Sequence, residues 1–361
     1  MMKEVDVCII GGGVIGCSIA YELSKKGYKT AIYEKGKAGQ QSSSAAAGLL
    51  GVQAEWDEYN PLFDLARESR EMFPKLAEEL RAVTGIDIGY EEKGIYKVAE
   101  TDEELAQLEK TAAWQMGTGE PVQLMTKDEL KEKEPLLSNS VLGGAYYPKD
   151  GHVIAPALAK AYEHAALLNG AKLFEHTAVD EVLMDNGKAA GVRANGEMIM
   201  CGKVIIAAGA WSTPFLKTFS PLSETYPVKG EMISVLSKEK LISKPLYKNG
   251  FYIVPKRGGR YLVGATVKER DFSKDVSLSG MMHLMETAKR ILPAIAQADF
   301  ENAWSGLRPQ SAKGAPYMEE HSERKGLYAC TGHFRNGILL SPASGKAMAE
   351  LVVKESASIG R

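Results

Sequence analysis

The chain opens with an apolar run, a glycine turn and an amphipathic segment. The run VDVCII is apolar apart from one aspartate and rich in β-branched residues, which predicts a strand buried on both faces. GGGVIG follows at once, and Ile15, Ile19 and Leu23 then recur at i+4 spacing, which predicts a helix that stops at Gly27. KTAIYE predicts a second strand that ends in Glu34. The first 34 residues therefore predict a strand–helix–strand unit.

The middle of the chain adds more helices and a hairpin. Residues 60–85 and 151–169 predict long helical segments. Thr101 and Thr126 each precede a helical pattern with a glutamate three residues later, which is the signature of a capping box. The pair Asn186–Gly187 lies between two strand patterns and predicts a tight hairpin turn.

Two later stretches predict sheet. KVIIAAGAWS is typical of a buried strand that ends in small residues at positions 207–210. Between Val228 and Val267 the runs VKGEMISVL, FYIVPK and RYLVGATV predict antiparallel strands, separate from the parallel ones. With 361 residues the chain is too long for one simple core. We therefore predict an α/β fold (α+β overall), with a Rossmann-like domain and a second domain built on an antiparallel sheet.

Composition and charge exclude several classes of protein. Apolar residues make up 45% and charged residues 25%, as in ordinary soluble proteins, and a net charge of −2 gives no reason to expect nucleic acid as a partner. We expect no membrane segment, because the apolar N-terminal run contains four glycines and has neither the basic start nor the cleavage site of a signal peptide. The cysteines form no CxxC pair, so we expect no metal site, no disulfides and a cytoplasmic location; they are Cys8, Cys17, Cys201 and Cys330.

The glycine turn carries the chemistry of dinucleotide binding. Gly11 suits the tight turn, Gly13 lets the backbone approach a pyrophosphate, and Gly16 allows the helix to pack closely on the strand. Glu34 follows Gly16 by 18 residues, where a carboxylate can accept hydrogen bonds from both ribose hydroxyls, which disfavours a 2′-phosphate. The strand, helix, second strand and terminal acid together predict a dinucleotide site.

The next segment favours FAD over NAD. Residues 36–51, GKAGQQSSSAAAGLLG, replace the ordinary helix of an NAD dehydrogenase by small and hydroxylated residues. We expect Ser42 and Ser43 to lie near phosphate, and the small residues after them near a flat ring. A solvent-exposed serine loop is the alternative interpretation.

With these motifs in order, the chain resembles the glycine oxidases of the D-amino-acid oxidase and sarcosine oxidase superfamily of flavoenzymes. The resemblance spans nearly the whole length and is carried by IIGGGVIGCSIAYEL, SSAAAGLL, VIIAAGAWS, PVKGE, YIVP, GATVK, WSGLRP and GHFRNGILLSP. It implies non-covalent FAD and oxidation of glycine, sarcosine or small D-amino acids to a 2-oxo acid such as glyoxylate, with O₂ reduced to hydrogen peroxide. It also implies a homotetramer and a role in making the thiazole of thiamine.

The resemblance implies a discontinuous division of the chain. The FAD-binding domain is predicted to comprise residues 1–86, 142–227 and 301–361, and the substrate domain residues 87–141 and 228–300. The cofactor-binding residues that it implies are Gly11, Gly13, Val14, Ile15, Gly16, Glu34, Lys35, Ser42, Ser43, Ala46, Ala47, Gly48, Leu49, Val179, Gly209, Gly332, His333, Phe334, Arg335, Asn336, Gly337, Ile338 and Leu339.

Two arginines and a tyrosine are the predicted catalytic and substrate-binding residues. Pro309 disfavours helix at Arg308, and the resemblance makes Arg308 the clamp for the substrate carboxylate, with Tyr252 donating to the same group. Arg335 is expected at the mouth of the cavity, where it steers or orients substrate. A surface ion pair for Arg308 and an ordinary sheet tyrosine for Tyr252 are the alternatives.

The residues around Arg335 predict a helix and a packing histidine. Ser341 and Pro342 suit the N-cap and first turn of a helix, whose positive end we expect to face the flavin. We expect His333 to pack beside the cofactor, since hydride transfer from a neutral amine needs no base, although a proton-transfer role is the alternative.

Several alternatives of function remain open. Cys330 does not lie where sarcosine oxidases tether flavin, and Gly250 and Val267 are smaller than in some relatives, so sarcosine or a larger D-amino acid is as open as glycine. A quinone-linked D-amino-acid dehydrogenase and a non-catalytic flavin-binding protein are the other two readings.

Overall fold

The computed structural model describes residues 4–359. The strands among them are β1 (Glu4–Ile10), β2 (Thr30–Tyr33), β3 (Leu49–Leu50), β4 (Ile95–Ala99), β5 (Gln123–Thr126), β6 (Gly143–Tyr147), β7 (Gly151–His152), β8 (Lys172–Phe174), β9 (Val179–Asp185), β10 (Lys188–Ala194), β11 (Glu197–Ile206), β12 (Thr225–Leu236), β13 (Leu246–Lys248), β14 (Phe251–Lys256), β15 (Arg260–Gly264), β16 (Lys268–Glu269), β17 (Asp299–Ser311), β18 (Tyr317–Glu320) and β19 (Leu327–Thr331). The helices are α1 (Val14–Lys25), α2 (Ser42–Ala45), α3 (Pro61–Thr84), α4 (Asp102–Gly117), α5 (Lys127–Lys133), α6 (Ala155–Leu168), α7 (Thr213–Leu216), α8 (Leu278–Ile291) and α9 (Gly337–Ile359).

The N-terminal strand lies at the centre of a mostly parallel sheet. The order is β18-β19-β11-β1-β2-β8, with the β9–β10 hairpin attached to β11. Val7 and Ile9 pack with α1, α3, α6 and α9 on one face, whereas Cys8 and Ile10 pack on the other face with side chains of β10 and β11. The strand is therefore buried on both faces, as its continuous apolar pattern predicts.

The second sheet is mainly antiparallel and has nine strands. Its order is β16-β12-β15-β14-β13-β4-β6-β5, with β17 paired along nearly the whole of β12. Helix α8 packs Leu284 and Ala288 into the same apolar cluster as Ile233 and Val263 of the sheet. The predicted antiparallel strands are confirmed, and the Asn186–Gly187 turn joins β9 to β10 as predicted.

The predicted start of the last helix is wrong. Helix α9 begins at Gly337, so Pro342 lies inside it. Proline has no N–H to donate to the carbonyl of Ile338, four residues before it. Ser341 Oγ donates to that carbonyl at 2.9 Å instead, and its hydroxyl therefore acts within the helix and does not cap it.

The serine segment is also more ordered than predicted. Residues Ser42–Ala45 form a single helical turn, and Leu49–Leu50 pair with β7. Trp304 Nε1 donates to the carbonyl of Ala45 at 3.0 Å, and Ser42 Oγ donates to the carbonyl of Leu307. The segment is held against β17, and the exposed-loop alternative is excluded.

The two sheets do not by themselves define where one domain ends and the other begins, so the division into an FAD-binding and a substrate domain stays a prediction. Strand β6 and most of β17 fall in the segments assigned to the FAD-binding domain, yet both strands pair in the second sheet. The outer ends of those segments, residues 1–3 and 360–361, lie outside the described residues.

Among the described helices, none combines the length and the apolar character needed to cross a membrane.

Candidate functional site

A cavity of ≈ 470 Å³ extends from the glycine turn to the second sheet. At one end it is lined by the turn after β1 and by the end of β2, and at the other by residues of β12, β14 and β17. The segment that follows β19 completes its wall. Residues that lie far apart in sequence therefore meet along one continuous space.

The glycine turn is close-packed on its protein side and open on its cavity side. Gly11 has φ +108°, and a Cβ on it would lie 2.5 Å from the carbonyl oxygen of Ala207. A Cβ on Gly16 would lie 2.0 Å from the carbonyl oxygen of Gly11. A Cβ on Gly13 would meet only Ser43 Oγ, at 3.4 Å, so the backbone there is accessible to a ligand. These are the separate roles that the spacing predicts for the three glycines.

Glu34 joins the two turns of the nucleotide end. Its Oε2 accepts from the backbone N–H of Gly12 at 2.9 Å, and its Oε1 accepts from that of Gly36 at 2.8 Å. Each carboxylate oxygen keeps further lone pairs, and the side chain lines the cavity. Glu34 can therefore hold the turn and still accept hydroxyl groups from a ligand.

The side chain of Ser43, a residue of α2, contacts the N-terminus of α1. Its Oγ accepts from the backbone N–H of Val14 at 2.9 Å, which leaves the hydroxyl hydrogen to donate. Gly13, the N-cap residue, has no side chain, and Gly13 and Val14 both line the cavity, so the positive end of the helix dipole lies at the cavity wall. Gln41 Oε1, also on the cavity wall, is buried without a hydrogen-bond partner within the described residues.

The carboxyl end of β11 borders the same end of the cavity. Ala207, Ala208 and Gly209 lie along the wall, where their small side chains leave space. Lys35 Nζ lies 3.5 Å above the ring of Trp211, and both residues line the cavity. Burial lowers the pKa of Lys35.

Arg308 lies at the second-sheet end, on β17. A Cβ on Gly230, its neighbour on β12, would lie 2.4 Å from Arg308 Nη2, so only glycine leaves room for the guanidinium. Nη1 donates to the carbonyl of Thr266 at 3.2 Å, and a further N–H group lies within reach of the Tyr252 hydroxyl, so the five donors of the guanidinium exceed these two partners. Because no carboxylate of the described residues pairs with Arg308 as a salt bridge, the surface ion-pair alternative finds no support.

Tyr252 lies beside Arg308 on the cavity wall. Its ring packs against Gly264, where a Cβ would lie 2.9 Å from the ring, and its hydroxyl donates to Met232 Sδ at 3.5 Å. Burial raises the pKa of the phenol, although the charge of Arg308 opposes the shift. The phenol therefore stays protonated at neutral pH and can donate a hydrogen bond.

Arg335 is exposed and lies over Gly250. A Cβ on Gly250, which has φ +85°, would lie 2.7 Å from Arg335 Nη1. Arg335 belongs to a short 3₁₀ helix, Phe334–Asn336, between β19 and α9. It lines the cavity while remaining exposed, as expected of a residue at its mouth.

His333 is held as a neutral imidazole. Ser344 donates to Met318 Sδ at 3.7 Å and can accept from His333 Nε2, 3.0 Å away. Burial lowers the pKa of His333 to about 4. A base this weak, with one ring nitrogen already in a hydrogen bond, fits packing better than proton transfer.

The structure brings together nearly all the predicted site residues. Gly16, Asn336 and Leu339 are the exceptions that do not line the cavity: Gly16 packs the helix on the turn, and Leu339 lies in the apolar core. Those that line the cavity are Gly11, Gly13, Val14, Ile15, Glu34, Lys35, Ser42, Ser43, Ala46, Ala47, Gly48, Leu49, Val179, Gly209, Tyr252, Arg308, Gly332, His333, Phe334, Arg335, Gly337 and Ile338.

At the second-sheet end of the cavity, two polar residues, Glu55 and Tyr247, have no sequence signal and are absent from the prediction. Glu55 comes from the segment between β3 and α3, and Tyr247 from the short strand β13. Neither belongs to a periodic pattern or to a recognisable motif. Only the tertiary fold places them beside Arg308 and Arg335.

Comparison with known proteins gives the family. The family described as FAD dependent oxidoreductase matches residues 6–351. The chain belongs to this family. The match covers nearly the whole chain, so the predicted family, fold class and cofactor are confirmed.

Glycine oxidases are among the relatives of this FAD-dependent oxidoreductase. Glycine oxidase from Geobacillus kaustophilus (strain HTA426) is 45% identical, over 98% of this chain and 94% of that protein. The crystal structure of glycine oxidase from Bacillus cereus ATCC 14579 superposes with a TM-score of 0.94 at 52% identity, covering 97% of this chain and 95% of that one. Bifunctional protein ThiO/ThiG from Trichormus variabilis (strain ATCC 29413 / PCC 7937) is 32% identical, over 97% of this chain and 53% of that protein.

The cavity residues fit FAD. The open face at Gly13 and the N-terminus of α1 suit a pyrophosphate, and Gln41 Oε1 is an acceptor without a donor among the described residues. Burial raises the pKa of the Cys330 thiol to about 12, so this cavity-lining cysteine is not a reactive thiolate. The oxidoreductase thus offers FAD donors and acceptors along the cavity, and Cys330 offers it no nucleophile.

Proposed function

We propose that this FAD-dependent oxidoreductase is a glycine oxidase. It converts glycine, O₂ and water into glyoxylate, ammonia and hydrogen peroxide, and it also accepts sarcosine and small D-amino acids. The observation that carries the proposal is the convergence of Arg308, Arg335 and Tyr252 at one end of a cavity whose other end is the glycine turn. A small zwitterion needs such a carboxylate site, whereas a pure flavin carrier does not.

The substrate carboxylate binds to Arg308 and Tyr252 in this proposal. The planar guanidinium can make two parallel charge-assisted hydrogen bonds to a carboxylate, and the protonated phenol of Tyr252 can add a third. Gly230 leaves room for the guanidinium to lie against β12, and the carbonyl of Thr266 holds Nη1 there. The carboxylate therefore meets the guanidinium in one orientation. A two-carbon substrate fixed at its carboxylate keeps only rotation about its Cα–C bond, so the directions open to its α-hydrogens are restricted.

The cofactor residues have a separate task. Gly13, Ser43 and the N-terminus of α1 would hold the pyrophosphate, and Glu34 with Gln41 would bind the ribose end. Bound FAD supplies the electron acceptor for a hydride equivalent from the substrate α-carbon and returns the electrons to O₂. The N-terminus of α9, at Gly337 on the cavity wall, adds a positive dipole end. Because Cys330 is protonated and buried, we propose that FAD is bound without a covalent bond.

Anaerobic mixing tests the proposed activity directly. The purified holoenzyme is mixed with glycine, sarcosine and D-alanine, and the visible absorption of the flavin is followed. We expect glycine to bleach it and air to restore it with formation of peroxide. Bleaching by sarcosine or D-alanine but not by glycine would identify a different substrate. Restoration by a quinone but not by air would identify a different electron acceptor. No bleaching by any of them would contradict the proposal.

The location, subunit number and metabolic role of the enzyme are proposed from its resemblance to known proteins. We propose that the enzyme is a cytoplasmic homotetramer that serves formation of the thiazole of thiamine. The similarity to bifunctional protein ThiO/ThiG supports this setting. Light scattering of the holoenzyme measures the subunit number.

A further inference from the structure

Glu55 is an acidic residue in the substrate end of the cavity that the proposed mechanism does not use. Its side chain lines the same wall region as Arg308, Arg335, Tyr247 and Tyr252. Two other acidic side chains of the described residues line the cavity. Glu34 lies at the nucleotide-binding end, and Asp180 belongs to β9. No described hydrogen bond or ion pair occupies the carboxyl group of Glu55.

The backbone on either side of Glu55 is held firmly. Asp150 Oδ2 accepts from the N–H groups of Gln53 at 2.9 Å and Ala54 at 3.0 Å. Gln115 Nε2 donates to the carbonyls of Gln53 at 2.9 Å and Trp56 at 3.1 Å.

Lys97 adds a contact from the second sheet, since its Nζ donates to the carbonyl of Ala54 at 3.0 Å. Three buried side chains from separate elements therefore fix the segment, and Glu55 is presented to the cavity at a fixed position.

The charged groups around Glu55 are mixed in sign. Arg335 and Arg308 lower its pKa and Lys97 lowers it further, whereas Asp150 raises it. Removal of the carboxyl from water outweighs these charges and raises the pKa of Glu55 to about 7. The phenols of Tyr247 and Tyr252 also face it, and both stay protonated because burial raises their pKa values.

The charges at this end match a substrate with one carboxylate. Arg308 and Arg335 contribute two positive charges, and a glycine carboxylate neutralises one. Ionised Glu55 offsets the other, so that a second acidic group on a ligand would meet a negative charge in a site of reduced dielectric. Without Glu55 the two arginines would match a dicarboxylate instead.

We infer that Glu55 is a specificity-determining residue that excludes substrates with a second acidic group. The inference rests on the proposed function, since it assigns the substrate class of the same site. Glu55 selects by charge: it leaves small neutral amino acids accepted and disfavours those with an additional carboxylate near Arg335.

Equilibrium binding to the holoenzyme tests this selection without turnover. Glycolate carries one carboxylate and tartronate is the same molecule with a second one, and both are hydroxy acids without the amine that is oxidised. Their dissociation constants are measured by flavin difference spectra, for each acid alone and for the two acids in competition with each other. At pH 8.5, where Glu55 is ionised, wild type should prefer glycolate, and Glu55→Gln should shift the tartronate-to-glycolate ratio of affinities by roughly tenfold toward tartronate, from the loss of one nearby charge.

Matched variants separate charge from structure. Glu55→Asp keeps the charge and should keep the preference for glycolate, while Glu58→Gln removes a carboxylate from the exposed surface three residues away and should change nothing. Flavin content and thermal unfolding show that each variant is folded. An unchanged ratio in Glu55→Gln, or an equal shift in Glu58→Gln, would overturn the inference. If wild type binds neither acid, Glu55→Gln must still gain tartronate binding.

The pH profile gives a second readout. Glu55 is neutral below its raised pKa and ionised above it, so the wild-type preference for glycolate should grow as pH rises through about 7. Both ligands keep their charges over that range, and the ratio in Glu55→Gln should be flat. Failure of glycine to bleach the flavin would reject the proposed function, whereas normal bleaching with a flat wild-type ratio would reject only the role of Glu55.

Discussion

At the scale of single residues, the site depends on glycines that make room for arginines. Gly230 and Gly250 each lie where a Cβ would collide with a guanidinium, of Arg308 and of Arg335 respectively. The arginines are visible in the sequence because they stand in recognisable motifs. The contacts that Gly230 and Gly250 make with them are not visible, because Arg308 lies on another strand and Arg335 on a 3₁₀ helix, and each contact exists only after folding.

Arg308 carries the largest predicted effect on activity. Arg308→Ala should lower kcat/KM for glycine by roughly 10²–10³-fold, because two charge-assisted hydrogen bonds to the carboxylate are lost. Flavin content should stay at the wild-type level, since Arg308 lies at the second-sheet end. Steady-state peroxide formation measures the effect, and Arg257→Ala, at an exposed ion pair with Asp87, is the control. Normal oxidation of glycine by Arg308→Ala would place the clamp elsewhere.

His333 should tolerate substitution. With a pKa lowered to about 4 and Nε2 in a hydrogen bond to Ser344, it is already neutral and constrained. His333→Ala should therefore keep the rate of anaerobic flavin reduction by glycine within about threefold, whereas loss of a general base would cost roughly 10²–10⁴-fold. Stopped-flow absorbance measures the rate of flavin reduction and distinguishes these two outcomes. A loss of roughly 10²–10⁴-fold would identify His333 as the base.

At the scale of elements, helix ends and turns position the site. The sequence favours a helix start at Ser341, because serine before proline is a common N-terminal pair. The first residue of α9 is instead Gly337, five residues before Pro342, directly after the short 3₁₀ helix that follows β19. Ser341 then satisfies the carbonyl that Pro342 leaves free, a local compensation that makes a proline acceptable inside the helix.

The contact between α1 and the glycine turn gives a sharp test at this scale. Gly16→Ala would place a Cβ 2.0 Å from the carbonyl oxygen of Gly11, so α1 must move away from the turn. We expect purified Gly16→Ala to contain little FAD, read from the ratio of visible to ultraviolet absorbance. Gly117→Ala, in α4 with no atom within 4 Å of the new Cβ, is the matched control and should stay yellow. Full flavin content in Gly16→Ala would contradict the tight-packing role.

At the scale of the whole molecule, buried charges join separate elements behind the cavity. Arg70 of α3 donates to Asp150 at 3.1 Å and to Glu120 at 2.6 Å, and all three side chains are buried. Asp150 in turn accepts from Gln53 and Ala54, next to Glu55. The network therefore connects the helical layer to the segment that lines the substrate end.

Removal of Arg70 should destabilise the protein in a pH-dependent way. Arg70→Met leaves two buried carboxylates without their main counter-ion, at a cost of about 3 kcal/mol in the free energy of unfolding. Burial already raises the pKa of Asp150 to about 6, and loss of Arg70 raises it further, so protonation at low pH should relieve part of the cost. Chemical denaturation should show a larger deficit at pH 8 than at pH 5.5. An equal deficit at both values, or the same deficit in Arg193→Met on the exposed hairpin, would argue against buried charge as the cause.

The sequence by itself determined the nucleotide end of this protein. The strand, glycine turn, helix and Glu34 are local in the chain, so their spacing alone predicts the turn and the carboxylate that line this end of the cavity. The series of motifs from IIGGGVIGCSIAYEL to GHFRNGILLSP, taken in order, indicated the family and, through it, FAD.

The tertiary structure decided what depends on contacts between distant segments. The start of α9, the sheet membership of β6 and β17, and the glycines under the arginines each follow from how separate elements pack. The position of Glu55 is the clearest case, since Asp150, Gln115 and Lys97 fix it from three other parts of the chain. Periodicity and spacing describe one element at a time, and a site built from several elements is determined only by their packing.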